Sequence, residues 1–174
     1  MRNIILTTGL LLLGLNLTKA QSDELKPFRV EVGGGLGGMY GGYWGNALYS
    51  GGSFYIEPKY QVTDKWALGA LIEGGFFGSS GYDGFYFINY CPRLLITGDY
   101  YYDKNHKNNK TMHFVGMGLG ATLVSGTDGH FILRTGYEKS RFRLTASIGF
   151  TGNTREPYLY FGISLGYVFH SKKK

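Results

Sequence analysis

From Phe28 onward the chain alternates. Phe28, Val30, Val32, Gly34, Leu36, Gly38 and Tyr40 form one row, and Arg29, Glu31, Gly33, Gly35, Gly37 and Met39 form the other. The first row is mostly apolar and the second mostly charged or glycine, a period of two that predicts a strand with unlike faces. Phe54 to Val62 repeats the pattern with Glu57 and Lys59 in the polar row, and Trp66 to Phe76 does so with Glu73. Tyr86 to Thr97, carrying Arg93, alternates less cleanly. Contrast improves in the second half. Phe114 to Leu123, Phe131 to Glu138 with Arg134, Phe142 to Phe150 with Arg143, and Leu159 to Phe169 complete eight predicted strands.

The joints between them are turn-like. Thr63 to Lys65, Gly78 to Gly84, Ser125 to Gly129 and Gly152 to Glu156 are rich in Gly, Asn, Asp and Ser, residues that tolerate turn backbones or bond their own main chain. Asp99 to Lys110 is the longest polar joint. Two prolines fall inside predicted strands, and each is expected to bring a bulge or a missing ladder bond at Pro58 and Pro92.

The first twenty residues stand apart from this pattern. A positive start at Arg2, an apolar run from Ile4 to Leu17 and small residues before Gln21 predict a signal peptide, residues 1–20, cleaved after Ala20. Residues 21–174 then form one exported domain. Loss of Arg2 and Lys19 lowers the basic residues from 18 to 16 against 12 acidic ones, a modest positive balance.

Composition changes which side of each strand meets water. Of 174 residues 29 are Gly, 15 Tyr and 12 Phe, and 17% are charged, against about 7% Gly and about 25% charged on average. The single Cys excludes a disulfide framework. A soluble sheet clothes its outer face in Lys, Glu, Thr and Ser. Here the polar row is largely glycine with isolated charges, a poor water-facing surface but a suitable crowded lumen. The predicted lumen network is Arg29, Glu31, Glu57, Lys59, Glu73, Arg93, Arg134, Glu138 and Arg143, with the apolar row facing lipid. The expected fold is therefore all-β, a single antiparallel up-and-down transmembrane barrel, since an open sheet edge is not tolerated in hydrocarbon. Two aromatic girdles fit this arrangement: Tyr40, Tyr43, Trp44, Tyr49, Phe76, Phe85, Tyr158 and Tyr160 near one end, and Tyr60, Trp66, Tyr100, Tyr101, Phe142, Tyr167 and Phe169 near the other. A lipocalin-like soluble barrel is the competing architecture, but the Gly-x-Trp that opens the first lipocalin strand closes a strand here, at Gly42-Tyr43-Trp44.

On these features, and on the aromatic-ended final segment Leu159 to Phe169, the chain resembles the small eight-stranded outer-membrane barrels of Gram-negative bacteria, of the OmpA and OmpX type. Gln21 at the mature start is similar to secreted proteins of the Bacteroidota. The resemblance implies outer-membrane lipid and lipopolysaccharide as surroundings, the barrel-assembly machinery as a partner in folding, and a monomer. Such chains normally stop at the terminal aromatic, whereas His170 to Lys174 follow it here. With an even strand number both ends lie in the periplasm, and Gly41 to Gly51, Gly78 to Gly84, Ser125 to His130 and Gly152 to Pro157 become outer loops.

Chemistry-bearing motifs are few. Gly33 to Gly38 satisfies G-x-G-x-x-G, but no helix follows to hold a phosphate, so no cofactor is expected. His106, His113 and His130 lack metal-ligand spacing. Ser125, Asp128 and His130 share one predicted loop, where a catalytic triad rarely assembles. Basic residues at Lys104, Lys107, Lys110 and Lys172 to Lys174 are read as solvated, and nucleic-acid binding is not indicated. A structural or surface-interaction role with a filled lumen leads; a narrow pore or conduit, or a membrane-embedded lipid hydrolase, remain alternatives, and no enzyme activity is expected.

Overall fold

The computed structural model describes residues 28–41, 47–81, 84–102, 111–124, 126–152 and 158–170. These form eight strands: β1 (Phe28–Gly41), β2 (Ala47–Gln61), β3 (Trp66–Gly81), β4 (Gly84–Tyr101), β5 (Thr111–Val124), β6 (Gly126–Lys139), β7 (Phe142–Thr151) and β8 (Tyr158–His170). Each pairs antiparallel with its sequence neighbour, and β8 pairs with β1 to close the barrel. Following the ladders once around from Arg29 through Lys59, Gly69, Thr97, Gly118, Ile132, Gly149 and Tyr160 returns to β1 at Met39. The circuit thus climbs from residue 29 to residue 39. Such a stagger tilts the strands, and eight tilted strands enclose a space just wide enough for side chains to fill.

Glycine explains how the inner row fits. A Cβ at Gly120 would fall on the Leu94 carbonyl oxygen, and one at Gly116 on a carboxylate oxygen of Asp99. Outward glycines have another use. The Phe54 ring lies over Gly34 and the Phe161 ring over Gly38, so each ring covers backbone that has no side chain of its own.

Both prolines interrupt the ladder. At Pro92 the β3–β4 register shifts by one, from Glu73 opposite Arg93 to Gly75 opposite Tyr90, which is a bulge in β4. At Pro58 the β2–β3 pairing keeps its register but skips Glu57 and Pro58, as expected of a residue that cannot donate a backbone bond.

The strands outrun the sequence reading at the end away from the termini. Gly51 and Gly52 belong to β2, Gly78 to Gly81 to β3, and Gly126 to His130 to β6, so the loops expected over Gly41–Gly51, Gly78–Gly84 and Ser125–His130 are much shorter. Glycine there permits close strand approach rather than a turn: a Cβ at Gly51 would meet the Phe76 carbonyl. The long joint also shrinks, because β4 runs through Asp99 to Tyr101. Asp128 and His130 lie in β6, not in a loop, and His170 closes β8.

The β6–β7 hairpin turns on Ser140 and Arg141 alone, since Lys139 already faces Phe142. Ser140 has φ 61, the left-handed conformation that a two-residue hairpin of this kind normally gives to glycine.

Candidate functional site: a charged lumen inside an apolar shell

Among the described side chains, alternation places five bases and five acids inside: Arg29, Lys59, Arg93, Arg134 and Arg143 against Glu31, Glu57, Glu73, Asp99 and Glu138, all buried. Nine of these were candidates from the sequence. Asp99 is the tenth: its polar surroundings in sequence predict a joint, but its place in β4 sets it two residues beyond Thr97 on the inner row.

Asp99 is the hub of the larger cluster. Its carboxylate meets Lys59 Nζ at 3.1 Å, Arg134 Nη2 at 2.8 Å and Arg143 Nη2 at 2.7 Å. Lys59 also reaches Glu31 at 2.8 Å and Glu57 at 3.0 Å, and Arg134 reaches Glu57 at 2.7 Å. Arg29 donates to Glu138 at 3.0 Å and to the Tyr101 hydroxyl. Arg143 donates to the same hydroxyl at 2.8 Å and lies over the Phe114 ring, 3.4 Å from its centroid. Tyr55 and Thr97 donate to Glu31 and Glu57, each at 2.6 Å. Strands β1, β2, β4, β6 and β7 are thereby tied together across the lumen.

A smaller cluster sits toward the other end. Arg93 donates to Glu73 from Nη2 at 2.5 Å and from Nε at 3.0 Å. Its Nη1 is 2.6 Å from His130 Nε2, which must act as acceptor. The guanidinium also stacks over Tyr160, 4.2 Å from the centroid. Between the two clusters lies an apolar belt of Tyr55, Leu71, Leu95 and Ile132. Further apolar clusters lie toward the two ends: Ala67, Tyr101 and Phe114 beneath, Met39, Phe77 and Tyr160 above. The cavity between Glu31, Glu73, Arg93 and Arg134 is about 30 Å3, room for a water or two.

Outside, the picture reverses. Leu36 is 76% exposed, Phe54 73%, Ile96 73% and Ile163 61%, within a continuous belt of exposed apolar side chains on all eight strands. Among the described residues no Asp, Glu, Lys or Arg stands on the outer row except Lys139, the last residue of β6.

Of the girdle candidates, Tyr40, Tyr60, Trp66, Phe76, Phe142 and Phe169 are exposed on the outer row. Tyr167 is half-buried beside Phe142 and Phe169, with ring centroids at 5.5 and 4.8 Å. Tyr100 packs against Trp66 at 5.0 Å. Tyr101 and Tyr160 are instead buried in the lumen, and Tyr49 and Tyr158 pack against the Met39–Phe77–Tyr160 cluster. The reason is parity: each of these four falls on the inner row of its strand. Tyr43 and Trp44 lie outside the described residues, as does Ser125, and the Phe85 side chain is likewise outside the description.

No protein-family model matches the chain, and no curated protein does. Solved structures are similar to it, three of which follow. A designed transmembrane β-barrel shares 12% identity over 86% of this chain and 99% of its own, with a TM-score of 0.44. The N-terminal β-barrel domain of Pseudomonas aeruginosa OprF shares 14% over 83% and 98%, with a TM-score of 0.40. Ail, the attachment invasion locus protein of Yersinia pestis, solved with the heparin analogue sucrose octasulfate, shares 11% over 83% and 100%, with a TM-score of 0.44. These neighbours are small eight-stranded membrane barrels, and this chain is likewise an eight-stranded barrel.

Proposed function

We propose that the chain is an integral outer-membrane β-barrel with a filled lumen, serving a structural or surface-interaction role rather than catalysis or transport. The observation that carries this reading is the reversal of faces: a closed barrel whose inner row, among the described residues, holds ten paired charges and whose outer row exposes apolar side chains on every strand. A soluble monomer seldom exposes a contiguous apolar patch beyond a few hundred Å2, and in water this shell would drive aggregation. In a bilayer it is the required surface, and closure of β8 on β1 leaves no unpaired edge.

The apolar leader serves export, and both ends of the barrel domain lie on the periplasmic side. Lipid and lipopolysaccharide surround the belt, and the aromatic-ended β8 is the segment offered to the assembly machinery. The filled lumen favours a plugged barrel over a pore, because a cavity of about 30 Å3 between ion clusters admits no solute. His130 is engaged with Arg93 and packed at 6.2 Å against Tyr160, which leaves it poorly placed to activate a nucleophile. Planar-bilayer recording of the refolded protein tests this: the expectation is no stable conductance steps, and reproducible channels of fixed size contradict the filled lumen.

A further inference from the structure

We propose that the outer part of β4 pairs, edge to edge, with the same segment of a second copy of this chain held in a facing membrane. This rests on the membrane reading above, which points the β3–β4 hairpin outward. Closure removes free edges from the barrel wall but not from that hairpin, which outruns its neighbours. Along β4 the pairing with β5 begins only at Arg93, opposite Thr122. Past Thr122, β5 ends at Val124, whereas β4 reaches back from Arg93 to Gly84. Its pairing with β3 continues to the tip, from Tyr90 opposite Gly75 to Gly84 opposite Gly81. Among the described residues nothing pairs with the other edge of β4 between Gly84 and Tyr90.

On the far side, β2 leaves β3 at Ser50 opposite Gly78. The hairpin therefore rises as a two-stranded ribbon, with a free edge about 20 Å long at about 3.4 Å per residue. Every second residue of that edge turns its N–H and C=O away from β3, and such groups take a partner in water or in another strand. Natural edges are blunted by Lys, Pro or a bulge. Here Pro92 and the bulge stand where β4 joins β5, and the run Phe85-Tyr86-Phe87-Ile88-Asn89-Tyr90 has no charge and no proline. Aromatic and β-branched residues of this kind favour strands.

The missing charge admits an identical strand, because like charges set opposite each other are what would keep two copies apart. A two-fold pair centred on Phe87, the midpoint of the free edge, sets Tyr86 opposite Ile88, an aromatic against a β-branched residue. Membrane geometry then selects the facing copy. Two copies in one membrane point the same way, and strands tilted by about 35–45° cross at no more than about twice that angle, so they cannot run antiparallel. Copies in apposed membranes can, and the pair joins the two membranes.

The test places the refolded protein in phosphatidylcholine vesicles and follows clustering by light scattering. Wild-type vesicles are expected to cluster. Phe87→Lys and Phe87→Glu each set like charges face to face and should abolish clustering; mixing the Lys and Glu populations should restore it, since residue 87 meets its own copy. Position 87 lies beyond the barrel wall, so both variants should keep the heat-dependent gel mobility of a folded barrel. Wild-type vesicles that carry the protein on flotation yet stay dispersed overturn the pairing and leave the membrane reading standing. Clustering that survives either substitution, or Lys and Glu populations that stay apart when mixed, overturns the two-fold pair at this edge. A protein that does not float with the vesicles overturns the membrane reading, and the pairing with it.

Discussion

Along β8 the chain presents two rows that share one backbone and almost nothing else. Leu159, Phe161, Ile163, Leu165 and Phe169 face outward, while Tyr160, Gly162, Ser164, Gly166 and Val168 face in. The outward Leu, Ile and Phe side chains have room and nothing polar to meet; the inner row is polar and crowded. Gly166 shows the second condition, since a Cβ there would meet the carboxylate of Glu31 and the hydroxyl of Tyr55. The difference teaches that polarity in this fold is assigned by row and not by depth, so one chemical exchange should have opposite consequences on the two rows.

The largest effect is expected where a charge leaves the interior. Arg143→Met removes the cation shared by Asp99, Glu31 and Glu138, and breaking a buried network costs about 3–5 kcal/mol by leaving carboxylates uncompensated. Urea unfolding in micelles should show a loss of that size; an unchanged midpoint would mean that the cluster holds nothing together. The converse exchange on the outer row is Ile163→Arg, near the middle of β8. A charge placed at the bilayer midplane of a barrel costs about 2–4 kcal/mol, and reversible unfolding from vesicles measures it. In water-facing surroundings the same change would be nearly neutral.

Glycine sharpens the comparison at a smaller scale. Gly120→Ala drives a methyl into the Leu94 carbonyl and is expected to cost about 1–3 kcal/mol. Gly74→Ala, on the outer row with nothing within 4 Å of the added methyl, should lie within about 0.5 kcal/mol of wild type. If the two alanine variants unfold alike, the crowding difference between rows is not real. The smallest expected change belongs to neither row. Ser140→Gly relieves the positive φ of the β6–β7 turn and should stabilise by up to about 1 kcal/mol, read from the same unfolding curves.

Much of this was legible in the sequence because a two-residue period survives any error in strand ends. The rows of β1, β3, β5 and β8 can be drawn from alternation alone. What escaped did so for identifiable reasons. Asp99 sits in a polar, tyrosine-rich run, Gly98 to Lys104, that resembles a loop in composition; continuing the row from Arg93 through Leu95 and Thr97 would have reached it. Closeness to a turn suggests an interface place for Tyr101 and Tyr160, whereas parity puts them inside. Glycine is ambiguous at Gly51 and Gly126, because the same residue marks a turn in one setting and a close strand contact in another. The bulge at Pro92 breaks the alternation of β4, which is why that segment looked least regular.

The central claim is that the apolar row faces lipid. It is tested most directly by fractionating cells that express the full chain, washing the outer-membrane fraction with salt and alkali, and comparing boiled with unboiled samples on a gel. The account predicts a protein that stays in the washed membranes and migrates differently when unheated, as a closed barrel that resists detergent. A chain released by the wash, with one mobility in both samples, would contradict it.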